Sequence, residues 1–210
     1  MKARLWVILG IFILVLPFVF SSCKTIEAGH LGVLFRPFGG GVDTKQTYGE
    51  GFHLIAPWNS LIEYDVRLQE KEEAMDVLAR NGLNIHIDVS VRFAPVASEL
   101  PLLHREIGPD YMEKIVLPQI RASTRKVIGK YLPEELYSTK RDQIQEEIYH
   151  ETDSLLRAKH IHLDAVLIRS VKLPQSIAEA IERKLRQEQE AMEYEFSYPK
   201  KSKRKPNVSA

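Results

Sequence analysis

The segment LNIHIDVSVRF constrains the chain more than any other stretch of its sequence. Leu83, Ile85, Ile87, Val89, Val91 and Phe93 alternate with Asn84, His86, Asp88, Ser90 and Arg92. Successive side chains of a pleated strand point to opposite faces, so this pattern predicts a half-buried antiparallel strand with one apolar face. Asn81-Gly82, just ahead of it, is a pair suited to the tight turn of a hairpin. Further strands are predicted in TIEAGHLGVLFRPFGGG and HLIAPWNSLIEYDVRL, bounded by Gly39 to Gly41, Gly49, Gly51 and Pro57. The first half is expected to be a small curled sheet.

Beyond residue 108 the period changes from two to that of a helix. PDYMEKIVLPQIRASTRKVIGKY carries Tyr111, Ile115, Ile120, Val127 and Ile128 at helical spacing, with Pro118 expected to kink it. PEELYSTKRDQIQEEIYHETDSLLRAKH starts on Pro133 and presents Ile144, Ile148, Leu155 and Leu156 as a stripe. IHLDAVLIRSVKL returns to alternation through Ile161, Leu163, Val166, Ile168 and Val171, slipping phase between Leu163 and Val166 where a bulge fits. A last helix is predicted from PQSIAEAIERKLRQEQEAMEYEF. Its apolar residues Ile177, Ile181, Leu185, Met192 and Phe196 form a thin seam among charges, and so narrow a seam packs on another helix.

The N-terminus calls for a membrane. Leu5 to Phe20, LWVILGIFILVLPFVF, is an apolar run behind Lys2 and Arg4. Its 16 residues, at roughly 1.5 Å each, reach about 24 Å against a hydrocarbon core of ~30 Å, a gap that flanking residues narrow. A basic start, an apolar centre and small residues at the end describe a secretory signal, and FSSC is similar to a lipoprotein cleavage box with Cys23 as lipid-bearing residue. An uncleaved signal-anchor helix is the other reading. Either way Lys2 and Arg4 stay inside and the rest lies outside the cytoplasmic membrane. Cys23 is the single cysteine among 210 residues, so no intrachain disulfide and no thiolate zinc site can form.

Catalytic patterns are few. His160 and His162 in HIH would share one side of a strand, half of a metal site, with no third ligand at local spacing. GGGVDTK lacks the Gly-Lys-Ser/Thr order that aims a lysine and a hydroxyl at phosphates, and reads as a loop. Carboxylates are scattered among lysines along helices, where salt pairing accounts for them. No catalytic, cofactor-binding or metal-ligating residue and no cofactor is assigned. Lys200, Lys201, Lys203, Arg204 and Lys205 follow Pro199 as a basic tail without interleaved aromatics. With a net charge of +1 this gives no nucleic-acid reader, and the tail reads as a solvated end. Asn207 fits a glycosylation sequon by coincidence.

Several segments in order resemble the SPFH, or band-7, family of stomatins, prohibitins, flotillins and HflK/HflC, prohibitins most of all. They are IEAGHLGVLFRPFGG, YGEGFHLIAPW, DVRLQEKE, NGLNIHIDVSVRFAP, EIGPDYMEKIVLPQIRASTRKVIGKYLPEELYSTKRDQIQEEI and LIRSVKLPQSIAEAIERKLRQEQEA. The resemblance implies an α+β domain tethered to a membrane, then a coiled-coil helix through which many copies pack into rings. It further implies a non-enzymatic scaffold whose partners are copies of itself or a related chain, membrane lipids and an ATP-dependent membrane protease. The expected organisation is a signal or anchor over 1–23, the SPFH domain over 24–190, and a helix end with basic tail over 191–210. Ile181, Leu185 and Met192 are the candidate assembly seam and Cys23 the candidate lipid attachment. Pro199 stops the helix earlier than the family pattern, which keeps a second reading open: a monomeric exported binding module.

Overall fold

The computed structural model describes residues 23–136 and 140–197. The run Leu5 to Phe20, the basic tail and Asn207 lie outside the described residues. The described chain divides at Val171/Lys172 into two units.

In the first unit the expected single curled sheet is three sheets. β1 (Cys23–Ile26) pairs antiparallel with β4 (Gly51–Leu54). β2 (His30–Arg36) runs between β3 (Gly41–Val42) and β5 (Ser60–Asp65), antiparallel to both. The third sheet has the order β6 (Gln69–Leu78), β7 (Asn84–Pro95), β8 (Ile161–Lys172). The break between β1 and β2 falls at Gly29, whose φ of +78° favours glycine and whose missing Cβ makes room for the Arg67 side chain.

β7 follows the alternation read from the sequence: Ile85, Ile87, Val89, Val91 and Phe93 are completely buried. Asn81-Gly82 makes the turn into it, with Gly82 at φ +79° and the Leu83 amide donating to Asn81 Oδ1 at 3.1 Å. On the opposite face Ser90 is buried as well, donating to Glu70 on β6. The phase slip in β8 is real: Ile161, Leu163, Val166 and Ile168 are buried, and the alternation shifts at Asp164–Ala165. The links Arg92–Asp164 and Asp88–Ser170 run in opposite sense along β7 and β8, so that pair is antiparallel too.

A 3-10 turn (Ala97–Glu99) leads into α1 (Leu100–Glu106). A π-helical turn (Met112–Val116) then feeds α2 (Leu117–Ile128). Pro118 sits in the first turn of α2, where its missing N–H costs nothing. The wider turn just upstream, closed by the Leu117 amide on Met112 O, takes the place of the expected kink. The segment from Pro133 is two helices, α3 (Pro133–Leu136) and α4 (Arg141–Arg157). The buried stripe of α4 is Ile144, Ile148, Thr152 and Leu156, at steps of four, while Leu155 faces outward. α2 packs on α4 and on β6, closing the core over the apolar face of the third sheet.

Three buried aromatic rings join that core to β5. Tyr64 lies against Tyr111, and Tyr111 meets Phe93 edge to face at 6.3 Å. Tyr64 shares a 2.6 Å hydrogen bond with His104 Nδ1. Burial raises the Tyr64 hydroxyl and lowers the His104 imidazole, so both stay neutral at physiological pH. A neutral phenol against a neutral ring is an uncharged hydrogen-bonded joint between β5 and α1.

The second unit contains α5 (Gln175–Ser197), a single helix of 23 residues, about 35 Å long.

Candidate membrane and assembly surfaces

Cys23 opens β1 opposite Leu54. Directly paired residues of an antiparallel ladder project to the same face. Cys23 and Thr25 therefore share a face with Leu54 and Phe52, while Ile26, on the other face, is buried in the core. The cysteine is half-buried and forms no disulfide. A thioether formed at its Sγ would leave the domain from the Leu54 side.

The proposed seam lies on one stripe of α5. Ile181, Leu185 and Met192 fall within about 40° of one another at 100° per residue. Ile181 is buried, Leu185 half-buried and Met192 55% exposed. From Glu182 to Tyr194 all described side chains but Leu185 are exposed, and most are charged or amide-bearing.

The two histidines of HIH do not share a face, contrary to the strand expectation. His160 precedes β8 in the left-handed conformation, φ 64°, where it ends the turn after α4. Its Nδ1 lies 2.7 Å from Glu99 Oε2 and its Nε2 3.7 Å from Glu106 Oε1, while its carbonyl accepts the Val96 amide. His162 is exposed on β8. A histidine needs a positive φ here because the turn demands it, and no alternation pattern could signal that. Among the described residues no group of three or more acidic, histidine or cysteine side chains is placed to hold a metal. The Gly39–Gln46 loop folds around an ion pair, Arg36 to Asp43 at 2.6 Å, which occupies the cation that an anion site would use.

The carboxylates that could serve as acids or bases are largely paired. Glu73 meets Arg121 at 2.6 Å, Glu72 meets Arg169 at 2.7 Å, and Glu147 accepts from both Lys130 and Tyr131. Exposed pairs of this kind contribute about 0–1 kcal/mol each. Asp65 is the most perturbed: hydrogen bonds from the Arg67 side chain, reinforced by the Arg67 amide, hold its carboxyl down to about 2. The same Arg67 packs on Gly29, so this pair braces the β1–β2 turn against the end of β5. Because the folded-state value is depressed, Asp65 stabilises the fold above the ordinary carboxylate range, and that contribution is lost as pH falls from about 4 toward 2. A carboxyl-carbon NMR titration should place the Asp65 midpoint near 2. In Arg67→Ala it should return toward about 4; an unchanged midpoint would remove Arg67 as the cause.

Antiparallel sheets with a helical layer on one face define an α+β domain, and a charged helix forms a second unit. The family profile described as SPFH domain / Band 7 family matches residues 24–203. The chain belongs to the SPFH, or band-7, family. It is similar to Prohibitin-2 of Dictyostelium discoideum, 28% identical over 177 residues, which cover 84% of this chain and 59% of that protein. Prohibitin-2 of Xenopus tropicalis is likewise 28% identical over 177 residues, covering 84% of this chain and 58% of the relative. Prohibitin 1 of Mus musculus is 29% identical over 187 residues, covering 88% and 67%. The chain thus spans about three-fifths of the length of the first of these relatives.

Proposed function

We propose that this chain is a membrane-tethered, non-enzymatic scaffold that assembles with copies of itself or a related SPFH chain and organises lipids and membrane proteins around it. An ATP-dependent membrane protease is the client this reading favours. The tether is the Leu5 to Phe20 segment or a lipid on Cys23, with residues after Cys23 outside the cytoplasmic membrane. The observation that carries the reading is α5: a helix forming a unit of its own, charged almost all round, with a stripe through Leu185 and Met192 wide enough only for another helix. Tethering raises the effective concentration of such weak seams, so shallow contacts suffice for assembly. Family membership agrees with a scaffold.

The test is the mass of the detergent-extracted full chain by light scattering, corrected for bound detergent. A large, uniform complex is expected. A monomer or dimer would sink the assembly part and leave an exported binding module.

A further inference from the structure

β8 is an edge strand of the third sheet, and α4 covers that edge with side chains in place of a further strand. Arg141 donates to the carbonyls of Ile168 and Arg169, Gln145 Oε1 accepts the Ile168 amide at 2.8 Å, and the Tyr149 hydroxyl donates to Leu163 O at 3.4 Å. The cover leaves a gap for a geometric reason. Gln145 and Tyr149 are one helical turn apart, about 6 Å along α4, whereas Leu163 and Ile168 stand five residues apart on a strand that rises roughly 3.3 Å per residue. Two side chains so close cannot screen an edge more than twice as long. Successive residues of an antiparallel strand turn their N–H and C=O to alternate sides, so Val166 directs both the same way as Ile168, toward α4. Among the described residues no side chain bonds either group. A groove of about 430 Å³ opens there, between the Asp164–Leu167 edge and the α4 side chains from Asp142 to Tyr149.

The charge of the groove says what fits it. Asp142, Glu146 and Asp164 are exposed around it, and no lysine, arginine or histidine lines it. Asp164 is shared with Arg92 and Glu146 with His150, at 3.0 Å each; exposed pairs of this kind are weak, and an incoming cation can displace them. Leu167 adds an exposed apolar side chain beside the edge. Free backbone groups on a sheet edge, an apolar side chain next to them and three carboxylates around them suit an extended chain that carries positive charge. We propose that this groove binds a basic, extended segment of a partner protein, whose backbone pairs with Val166 and whose lysine or arginine side chains reach Asp142, Glu146 and Asp164. The site lies wholly within the first unit, so the inference stands independently of the tether and the assembly helix proposed above.

The probe is a fluorescein-labelled, acetylated peptide of alternating lysine and valine, titrated by fluorescence polarisation into the detergent-extracted full chain. Saturable binding is expected. Asp142→Lys combined with Glu146→Lys, both at exposed positions, should weaken it about tenfold or more while circular dichroism stays unchanged. The same peptide N-methylated along its backbone keeps its charge but cannot donate to a strand edge, and it should lose saturable binding. In hydrogen exchange followed by mass spectrometry, the unmodified peptide should slow exchange over residues 163–168 and the methylated one should not. Binding that survives the double substitution would place the peptide elsewhere and overturn the inference. Binding lost in that variant but kept by the methylated peptide would leave an acidic surface without strand pairing, and would overturn it as well. So would an absence of binding at about 1 mM peptide. If the double substitution then also lowered the mass of the complex, the occupant of the groove would be a second copy of the chain.

Discussion

Leu185→Asp should collapse the detergent-extracted assembly to the mass of one or two chains while leaving the SPFH domain folded. Leu185 lies midway along the stripe of α5, and an aspartate there must be desolvated if the stripe packs on a second helix. A carboxylate buried without a partner costs several kcal/mol in real proteins, more than a seam of this length returns. Met192→Asp should act in the same direction without touching the domain, since that side chain is already 55% exposed. Gln187→Asp is the control: it adds the same charge but sits about 120–160° around the helix from the stripe residues. If Gln187→Asp dissociated the complex as fully as Leu185→Asp, added charge and not the seam would be the cause. If none of the three changed the mass, the helix would carry no assembly and the contact would lie in the domain.

The fold was legible where one side chain in two meets the core. In β7 every inward residue is aliphatic or aromatic, so the alternation announced the strand, and the slip at Asp164–Ala165 showed in β8 because both sides of it keep their apolar phase. β6 gave no such sign. Its sequence, QEKEEAMDVL, buries only Met75 and Val77, and it is a strand because residue after residue, from Gln69 to Leu78, pairs with β7. Pairing partners supply that stability, and a local window does not contain them. Leu155 and Thr152 exchange places against expectation because the α4 stripe runs at steps of four from Ile144. The helix axis, not hydrophobicity, decides which of the two turns inward. The exposed apolar end of the first two sheets was illegible for a different reason. Phe38, Phe52, Leu54 and Trp58 are unremarkable one at a time, and only the up-and-down course of β1, β2, β4 and β5 collects them.

Phe93→Ala should destabilise the domain by about 3–5 kcal/mol, the range for emptying a buried aromatic site. The residue lies in the inward row of β7, one step before Pro95, and has no solvent-accessible surface. Its ring stands edge to face on Tyr111, whose hydroxyl accepts from Gln69 on β6, and Tyr111 in turn lies against Tyr64 of β5. The space left behind opens where the third sheet meets the β2–β3–β5 sheet, and rigid strands on both sides limit collapse, which favours the upper part of the range. At roughly 2–4 °C per kcal/mol for a chain of this size, the midpoint of thermal unfolding should fall by about 6–20 °C. Near-ultraviolet circular dichroism would report the loss of ordered tyrosines in the same experiment. Leu155→Ala, on the exposed face of α4, should change stability by no more than about 0.5 kcal/mol. If Phe93→Ala cost as little, the two sheets would be held together elsewhere, and the Tyr64–His104 bond would be the next link to break. A large loss would instead place the stiffness of the domain in this aromatic joint, which links the β2–β3–β5 sheet to the β6–β7–β8 sheet.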